Sequence, residues 1–324
     1  MNYITDINHD KALLLIDAAM QAYNSFSSKE PTVCQTAKIE APDGYEYVDC
    51  WNGTDSIFSA DKTVEIYGIV FRTLEAPHTY IFSFRGTDSF LDLIDDFGAA
   101  HKPFKPFDES VSVDSGVHVE SGFWDIYSES KDGEASMQQQ VFALIDKYKA
   151  SDKPIDQLYI TGHSLGSSLC QLFTLDVALS RPDVHASNYN YASPRTGNSD
   201  FVELYERQPA QQDSETRTIR IQNTHDIVPD VPFANLGYQH TSYAFLVAFR
   251  KYTRWPHINL NWIVDNHGAG HYQAVLKCAF ANADNVCLNN KLPVPGSDIY
   301  LTSTEPDQSK TKSSKKGLRR TLGI

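Results

Sequence analysis

The chain has 324 residues, of which 41% are hydrophobic and 21% are charged. This composition is typical of a globular protein and excludes a disordered or fibrous main part, and the length suits one large α/β domain. The formal net charge of −13 repels phosphate backbones and anionic headgroups. We therefore expect no nucleic-acid partner, and any lipid contact must depend on apolar surface.

The predicted helices and strands alternate along the chain. In chain order we predict a helix over 10–26, strands over 64–71 and 80–84, a helix over 136–149, a strand over 157–161, a helix over 167–180, and strands over 188–191 and 218–222. This alternation favours an α/β fold in which helices cover both faces of a mainly parallel central sheet. The apolar run in the first helix is cut by Asp17 and follows acidic residues, so it predicts neither a signal peptide nor a transmembrane segment.

The two ends of the predicted domain differ in composition. We expect one domain over 1–307 and a basic tail over 308–324, where a solvated, disordered end is favoured over an electrostatic tether. Two stretches, 97–121 and 233–266, lack a regular pattern and are expected to be lids, binding loops or insertions. The composition leaves open whether the chain is cytoplasmic or secreted without a recognisable signal peptide, and it does not indicate an oligomeric state.

Five cysteines allow at most two disulfides. Cys34 with Cys50, and Cys278 with Cys287, are plausible local pairs if the protein is secreted. Cys170 falls within a predicted helix and is expected to be a buried, small apolar residue.

Ser164 lies at the centre of the sequence GHSLG, between a predicted strand and a predicted helix. A GxSxG sequence has mechanistic meaning only in this setting, where a sharp turn projects the serine hydroxyl beyond the end of the sheet. The following helix directs its N–H groups toward the place where an oxyanion would form. The pattern predicts a nucleophilic serine, and the alternative is a tight turn with an inert one.

A nucleophilic serine needs an imidazole base and a carboxylate that orients it, and in this fold they follow in the order acid, then histidine. Four histidines lie late enough in the chain to be the base: His240, His257, His267 and His271. His163 adjoins the serine, but the turn directs its side chain away from the hydroxyl. We therefore interpret His163 as a packing residue.

Four sequence segments occur in an informative order: FRGT at 84–87, GHSLG at 162–166, YASPRTGN at 191–198 and NTHDIVPDVP at 223–232. They resemble the oxyanion motif, the nucleophile elbow, the FGSPRVGN segment and the D-x-V-P-x-x-P acid loop of the class 3 lipase family, which comprises fungal-type lipases and their bacterial and plant relatives. The resemblance spans residues 64–276.

The resemblance implies an α/β-hydrolase fold and hydrolysis of a carboxylic ester through an acyl-enzyme. Asp226 would be the acid, with a turn-capping role as its alternative and Asp230 as the weaker candidate. The backbone N–H groups of Thr87 and Leu165 would form the oxyanion hole. No metal or organic cofactor is implied, because the protein supplies every charge that the reaction needs.

The resemblance favours His267 as the base, since plant and bacterial relatives often have a histidine five positions before a tyrosine, here Tyr272. His271 is the second choice, and His257 and His240 are more distant ones. Two histidines four residues apart can also bind a metal on one helical face. The two intervening glycines argue against a helix, so we do not favour a metal site.

The expected substrate is a lipid or another ester, first of all a triacylglycerol. A carboxylesterase, a phospholipase A1, a galactolipase or an acyltransferase are alternatives within the fold, and a non-catalytic lipid-binding scaffold is an alternative of another class.

Glu120 replaces a histidine that the family usually has, which puts local contacts in doubt. Residues 89–118 carry apolar side chains at helical spacing, which predicts either a lid that opens at an oil–water interface or a helix packed on the core.

Overall fold

The computed structural model describes residues 3–54, 63–87, 100–131, 133–241, 243–251, 266–280 and 299–303. Within these ranges the α-helices are α1 (His9–Asn24), α2 (Ser121–Ser128), α3 (Met137–Lys149), α4 (Leu165–Ser180), α5 (Ser199–Glu206), α6 (Pro209–Gln212) and α7 (Ala269–Phe280). The strands are β1 (Tyr3–Ile4), β2 (Tyr45–Thr54), β3 (Val64–Thr73), β4 (Thr79–Phe84), β5 (His101–Pro103), β6 (His118–Glu120), β7 (Gln157–His163), β8 (Ala186–Tyr191), β9 (Gly197–Asn198), β10 (Ile219–Asn223), β11 (Tyr238–Gln239), β12 (Ala244–Lys251) and β13 (Ile299–Ser303).

The central sheet has the strand order β1, β12, β10, β8, β7, β4, β3, β2, and β13 pairs with β12. In this spatial order, every neighbouring pair from β1 through β12, β10, β8 and β7 to β4 is parallel. The pairs β4 with β3, β3 with β2, and β12 with β13 are antiparallel. Strands β11, β9, β6 and β5 form a smaller antiparallel sheet. The mainly parallel central sheet that the sequence predicts is confirmed.

Each face of the central sheet packs into its own hydrophobic core. Along β4, Phe82 and Phe84 face a core shared with α2, α3, α4 and α5, while Ile81 faces the core shared with α1 and α7. This is the alternation that a strand imposes, because successive side chains point to opposite faces. Helices therefore cover both faces of the sheet, as predicted.

Helix α1 packs on the sheet through a buried face that consists largely of small alanine side chains. The hydroxyl of Ser83 donates to the carbonyl of Ala18 at 2.9 Å, and the hydroxyl of Thr161 donates to the carbonyl of Leu15 at 3.0 Å. Strands β4 and β7 are thus hydrogen-bonded directly to the backbone of α1. These bonds fix the helix over the carboxyl ends of the two strands that lead to the site.

Helix α1 also contacts α7, which comes from the far end of the described chain. Asp17 of α1 accepts a hydrogen bond from Gln273 and lies 3.2 Å from the ammonium group of Lys277. The first and last helices of the described chain therefore support one another on the same face of the sheet.

Every predicted helix and strand is confirmed, with each end within two residues of its prediction. The expectation that 97–121 and 233–266 are irregular is wrong in part, because the first contains β5 and β6 and the second contains β11 and β12. Three of these strands have only two or three residues, too few for a period of two to be recognised. Strand β12 is a nearly continuous apolar run, which a buried parallel strand shares with a buried helix.

Some predictions fall on residues that the structure does not describe. The tail over 308–324 lies outside the described residues, as do residues 89–99 of the segment considered as a lid, and His257. Among the helices that are described, none is both long enough and apolar enough to cross a membrane.

The cysteines fall into three environments. Cys278 is disulfide-bonded, and its predicted partner Cys287 lies outside the described residues. Cys34 and Cys50 are half-buried free thiols, and Cys170 is a fully buried one, as expected. The thiol of Cys34 lies 3.3 Å from the hydroxyl of Tyr47.

Native protein treated with iodoacetamide is expected to react first at Cys34, with a rate that rises with pH and is half-maximal near pH 7. A hydrogen bond from Cys50 lowers the pKa of Cys34 to about 7; burial opposes this effect, and a second hydrogen bond from Tyr47 supports it. An ordinary cysteine has a pKa of about 8.5, and the thiolate is the reacting form. Peptide mapping by mass spectrometry at several pH values measures this. Half-maximal modification above pH ~8.5, or faster reaction at Cys50, would contradict it, and Cys34→Ser is the control.

Candidate active site

Ser164 occupies a strained turn between β7 and α4. Its φ of 59° and ψ of −129° lie in a backbone region that strains any residue with a Cβ atom. The side chain of Ser164 is buried. The N–H group of Ser164 donates to the carbonyl of Tyr191 at 3.0 Å, and its carbonyl accepts from the N–H group of Ser167 at 2.9 Å. The turn is therefore fixed by β8 on one side and by the first turn of α4 on the other.

The glycines on both sides of Ser164 allow the backbone to approach itself closely. A Cβ atom on Gly162 would lie 2.7 Å from the carbonyl carbon of Gly166. A Cβ atom on Gly166 would lie 2.9 Å from the carbonyl carbon of Arg85 and closer still to the carbonyl oxygen of Phe84. Glycine is thus required at 166 by the close packing of α4 against the end of β4, and at 162 by the close approach of β7 to the first turn of α4.

A Gly166→Ala variant is expected to lower the free energy of unfolding by roughly 1–3 kcal/mol, because the added methyl group meets backbone atoms that have little room to move. It should also lower kcat for ester hydrolysis, since α4 must shift away from the end of β4. Urea denaturation and p-nitrophenyl ester turnover measure the two effects. Gly270→Ala is the matched control, because its added Cβ would meet only the methyl group of Met20 at 3.9 Å. Equal stability of the two variants would contradict the prediction.

Asp226 and His267 form a buried hydrogen-bonded pair. Nδ1 of His267 lies 2.8 Å from Oδ2 of Asp226, and the side chains are 6% and 0% exposed. Asp226 follows β10, and its other carboxylate oxygen accepts from the N–H group of Val228 at 2.9 Å. This bond anchors the carboxylate in the turn that precedes the 3₁₀ helix Val228–Asp230.

Tyr272 is a second donor to the same carboxylate. Its hydroxyl donates to Oδ2 of Asp226 at 2.9 Å and accepts from the N–H group of Asn223 at 2.7 Å. Burial, reinforced by the charge of Asp226, raises the pKa of Tyr272 well above its usual value, so that the hydroxyl keeps its proton and remains a donor. The side chain of Asn223 donates to the carbonyl of Asn266 at 3.0 Å. Asn223 thus joins the end of β10 to the segment that carries His267.

The other sequence-predicted acid and base candidates lie in different surroundings. His271 is half-buried in the first turn of α7. Helix α7 begins at Ala269, so the expectation of a non-helical segment is correct for His267 and Gly268 and wrong from Ala269 onward. Asp230 lies 3.5 Å from the guanidinium group of Arg195, and Nε2 of His240 lies 2.6 Å from the carbonyl of Pro229. The arginine and His240 thus brace the loop that carries Asp226.

The two residues predicted for the oxyanion hole lie at neighbouring strand ends. Thr87 follows β4, and Leu165 is the first residue of α4, directly after β7. Strands β4 and β7 are adjacent and parallel. Between β4 and Thr87, the guanidinium group of Arg85 pairs with Glu65 and lies 3.9 Å from the centre of the Phe26 ring. This ion pair and ring contact hold the loop that carries Thr87.

His163 was interpreted as a packing residue from the sequence, and that interpretation is incomplete. The side chain does point away from the turn, but its Nε2 lies 2.7 Å from the backbone carbonyl of His267. Its Nδ1 lies 2.9 Å from the hydroxyl of Tyr23 in α1. No local sequence signal marks these contacts, because the partners are 104 and 140 residues away.

Comparison with known proteins shows what this chain resembles. The sequence profile of the family described as Lipase (class 3) matches residues 81–236, just under half of the chain. Over this segment the chain is similar to the class 3 lipase family. The matched segment contains Ser164, Asp226 and both predicted oxyanion residues, whereas His267 follows it.

Plant phospholipases are among the proteins that this chain resembles. Phospholipase A1-Ialpha2, chloroplastic, from Arabidopsis thaliana is 31% identical over 167 residues, which cover 47% of this chain and 32% of that protein. Phospholipase A1-II 1 from Oryza sativa subsp. indica is 28% identical over 194 residues, which cover 56% of this chain and 47% of that protein. The chain thus matches between a third and a half of the length of these relatives.

Solved structures of fungal lipases share the fold. Lip2 lipase from Yarrowia lipolytica superposes with a TM-score of 0.57 at 19% identity, covering 82% of this chain and 87% of that one. Lipase II from Rhizopus niveus gives a TM-score of 0.54 at 21% identity, covering 75% and 82%. The α/β-hydrolase fold that the resemblance implies is confirmed.

Glu120, which departs from the pattern of the class 3 lipase family, is hydrogen-bonded to its neighbours in the structure. Its carboxylate caps α2 by accepting from the N–H group of Phe123 at 2.9 Å, and its own N–H group donates to the carbonyl of Thr196 at 2.9 Å. Burial raises the pKa of Glu120. In this chain the residue therefore serves as a helix cap beside the smaller sheet.

Proposed function

We propose that this protein hydrolyses carboxylic esters of lipids through an acyl-enzyme, with Ser164 as nucleophile, His267 as general base and Asp226 as the acid that orients the base. The observation that carries the proposal is the buried 2.8 Å hydrogen bond between Asp226 and His267. Its weight comes from the setting, since Asp226 follows β10 and the strained turn of Ser164 follows β7, and both strands belong to the parallel part of the central sheet.

The proposed reaction begins with attack of the Ser164 hydroxyl on the ester carbonyl. Because Nδ1 of His267 donates to Asp226, Nε2 is the nitrogen that accepts the serine proton and then passes it to the departing alcohol. Water next attacks the acyl-enzyme, with His267 again as base, and releases the carboxylic acid. The N–H groups of Thr87 and Leu165 stabilise the two oxyanions, and each such donor is worth about 3 kcal/mol. These groups meet every charge that develops, so the proposed mechanism uses no metal or organic cofactor.

Triacylglycerol is the first proposed substrate, and a phospholipid cleaved by phospholipase A1 activity is the second. One solved structure of the same fold is named as a triacylglycerol lipase, which supports the first, and the names of the plant relatives support the second. In both, the reacting group is an ester of a fatty acid with glycerol. The two substrates differ in the headgroup that the entrance to the site must admit.

A fluorophosphonate probe tests the proposed nucleophile directly, since it phosphonylates serine hydroxyls that a base activates. We expect stoichiometric labelling of the native protein, with the adduct on the peptide that contains Ser164, and none in Ser164→Ala. Labelling that persists in the variant would overturn the assignment. A protein that takes no label and turns over no ester would instead be a lipid-binding scaffold.

A substrate panel distinguishes the two lipid classes. It compares triolein emulsions, phosphatidylcholine vesicles, galactolipid micelles and dissolved p-nitrophenyl butyrate. Faster turnover of triolein, with a rise in rate at the solubility limit of a short triacylglycerol, would support the first substrate. Preferential release of the sn-1 fatty acid from phosphatidylcholine would replace it with the second. Simple saturation on the dissolved ester alone would indicate a carboxylesterase.

A further inference from the structure

His163 is a buried imidazole that the proposed reaction does not use. Its side chain is surrounded by Tyr23, His267 and Tyr272, with ring centres 6.1, 4.5 and 5.8 Å away, respectively. Both ring nitrogens are engaged, Nε2 at 2.7 Å from the carbonyl of His267 and Nδ1 at 2.9 Å from the hydroxyl of Tyr23. The residue therefore connects α1 to the backbone of the proposed base.

The two hydrogen bonds define the proton positions on His163. A backbone carbonyl can only accept, so Nε2 must carry the proton that it donates to His267. In the neutral ring Nδ1 is then bare and accepts from the hydroxyl of Tyr23. Burial, aided by the neighbouring imidazole of His267, holds the pKa of His163 well below its usual value, in agreement with a neutral ring.

The segment that carries His267 is held by bonds to its backbone. In the part of the chain that the structure describes, it comprises Asn266, His267 and Gly268 ahead of α7. Asn223 donates to the carbonyl of Asn266, and His163 lies against the carbonyl of His267. A displacement of about 1 Å in a catalytic group can cost about 100-fold in rate, so these two bonds bear directly on the position of the base.

We propose that His163 is a positioning residue of this active site. Its Nε2–H group holds the carbonyl of His267 and so fixes the position of the base, while Tyr23 fixes the tautomer that makes this bond possible. The inference rests on the proposed function, because it assumes that His267 is the base.

Two substitutions of similar length separate the hydrogen bond from the volume of the ring. In His163→Gln the amide nitrogen can occupy the place of Nε2 and donate to His267, whereas His163→Met fills similar space without a donor. We expect His163→Met to lower kcat and the rate of fluorophosphonate inactivation about 30-fold with KM unchanged. His163→Gln should stay within about threefold of the wild type, because its donor replaces the lost one.

A Tyr23→Phe variant removes only the hydroxyl that selects the tautomer. We expect kcat to fall only about threefold, since the His163 ring stays in place and its Nε2 can still carry the proton that it donates to His267. Nitrogen-15 NMR of the histidine rings provides a readout independent of activity, with the signal of His163 identified by its loss in His163→Gln. The neutral Nε2–H form in the wild type is the expected result. A charged ring or the Nδ1–H form at pH ~7 would overturn the proposal.

The outcomes separate this inference from the proposed function. A wild-type protein that neither hydrolyses esters nor takes the probe overturns both. An active wild type with an equally active His163→Met overturns the inference alone, as does equal loss of activity in the Met and Gln variants. If His163→Met does not fold, the Tyr23→Phe variant and the NMR spectrum of the wild type test the inference instead, because neither measurement needs the His163→Met protein.

Discussion

Replacing Ser164 by glycine is expected to abolish ester hydrolysis and to raise the free energy of unfolding at the same time. Loss of a serine nucleophile costs about 10⁶-fold in kcat in a well-organised triad, because no other group can form the acyl-enzyme. The stability gain comes from the backbone. The φ of 59° and ψ of −129° at this position strain any residue with a Cβ atom and are accessible to glycine. Relief of such strain is worth about 1 kcal/mol or more.

Ser164→Ala is the matched control for this prediction. It removes the same hydroxyl but keeps the Cβ atom, so it should be as inactive as the glycine variant and less stable than it. Urea denaturation of the three proteins, with p-nitrophenyl ester turnover of each, measures both properties. Activity close to that of the wild type in either variant would exclude Ser164 as nucleophile. A glycine variant no more stable than the alanine variant would show that the turn stores no strain.

An Asp226→Asn variant is expected to lower kcat about 10⁴-fold while the protein remains folded. The carboxylate accepts from His267, Tyr272 and the N–H group of Val228. An amide has only one acceptor oxygen, so its NH₂ group must face at least one of these donors. If the NH₂ group faces His267, Nδ1 must accept a hydrogen bond instead of donating one. The imidazole is then in the reversed tautomer, in which Nε2 carries a proton and cannot accept one from serine.

Two further variants test whether this effect is specific. Tyr272→Phe removes one donor and leaves the bond between Asp226 and His267, so kcat should fall only about tenfold. Asp230→Asn changes the carboxylate that pairs with Arg195 and should retain most activity. The loss of activity is measured from the kcat/KM values and fluorophosphonate inactivation rates of the Asp226→Asn, Tyr272→Phe and Asp230→Asn variants. If Asp230→Asn loses more activity than Asp226→Asn, the acid has been assigned to the wrong residue.

The sequence predicts those parts of the fold that follow from local periodicity. The predictions for helices α1, α3 and α4 and for strands β3, β4, β7, β8 and β10 agree with the structure within two residues at each end. Strand β2, although it has ten residues, and helix α7 are not among the predicted elements. Strand β12 was not predicted either, because its apolar run lacks a period that distinguishes strand from helix. The smaller sheet was missed for another reason. Its strands are too short to carry a pattern, and their pairing depends on residues far apart in the chain.

The same distinction applies to the site. Ser164 and Asp226 lie within motifs whose residues are contiguous, so the chain itself displays them. The contact of His163 with the carbonyl of His267 joins residues 104 positions apart. Its geometry depends on the direction in which the turn releases the side chain and on where α7 packs. Neither is encoded in the five residues around Ser164, which is why the sequence predicted only packing there.

The contact between α1 and α7 bears on the order in which the chain can become active during synthesis. Asp17 and Gln273 are 256 residues apart, so α1 leaves the ribosome long before its partner exists. Pairings of such long range form late in folding, because the intervening chain must first be ordered. In the proposed mechanism a nascent chain already holds Ser164 and Asp226 but has no base. Hydrolytic activity would therefore arise only once the chain as far as α7 has been synthesised and docked.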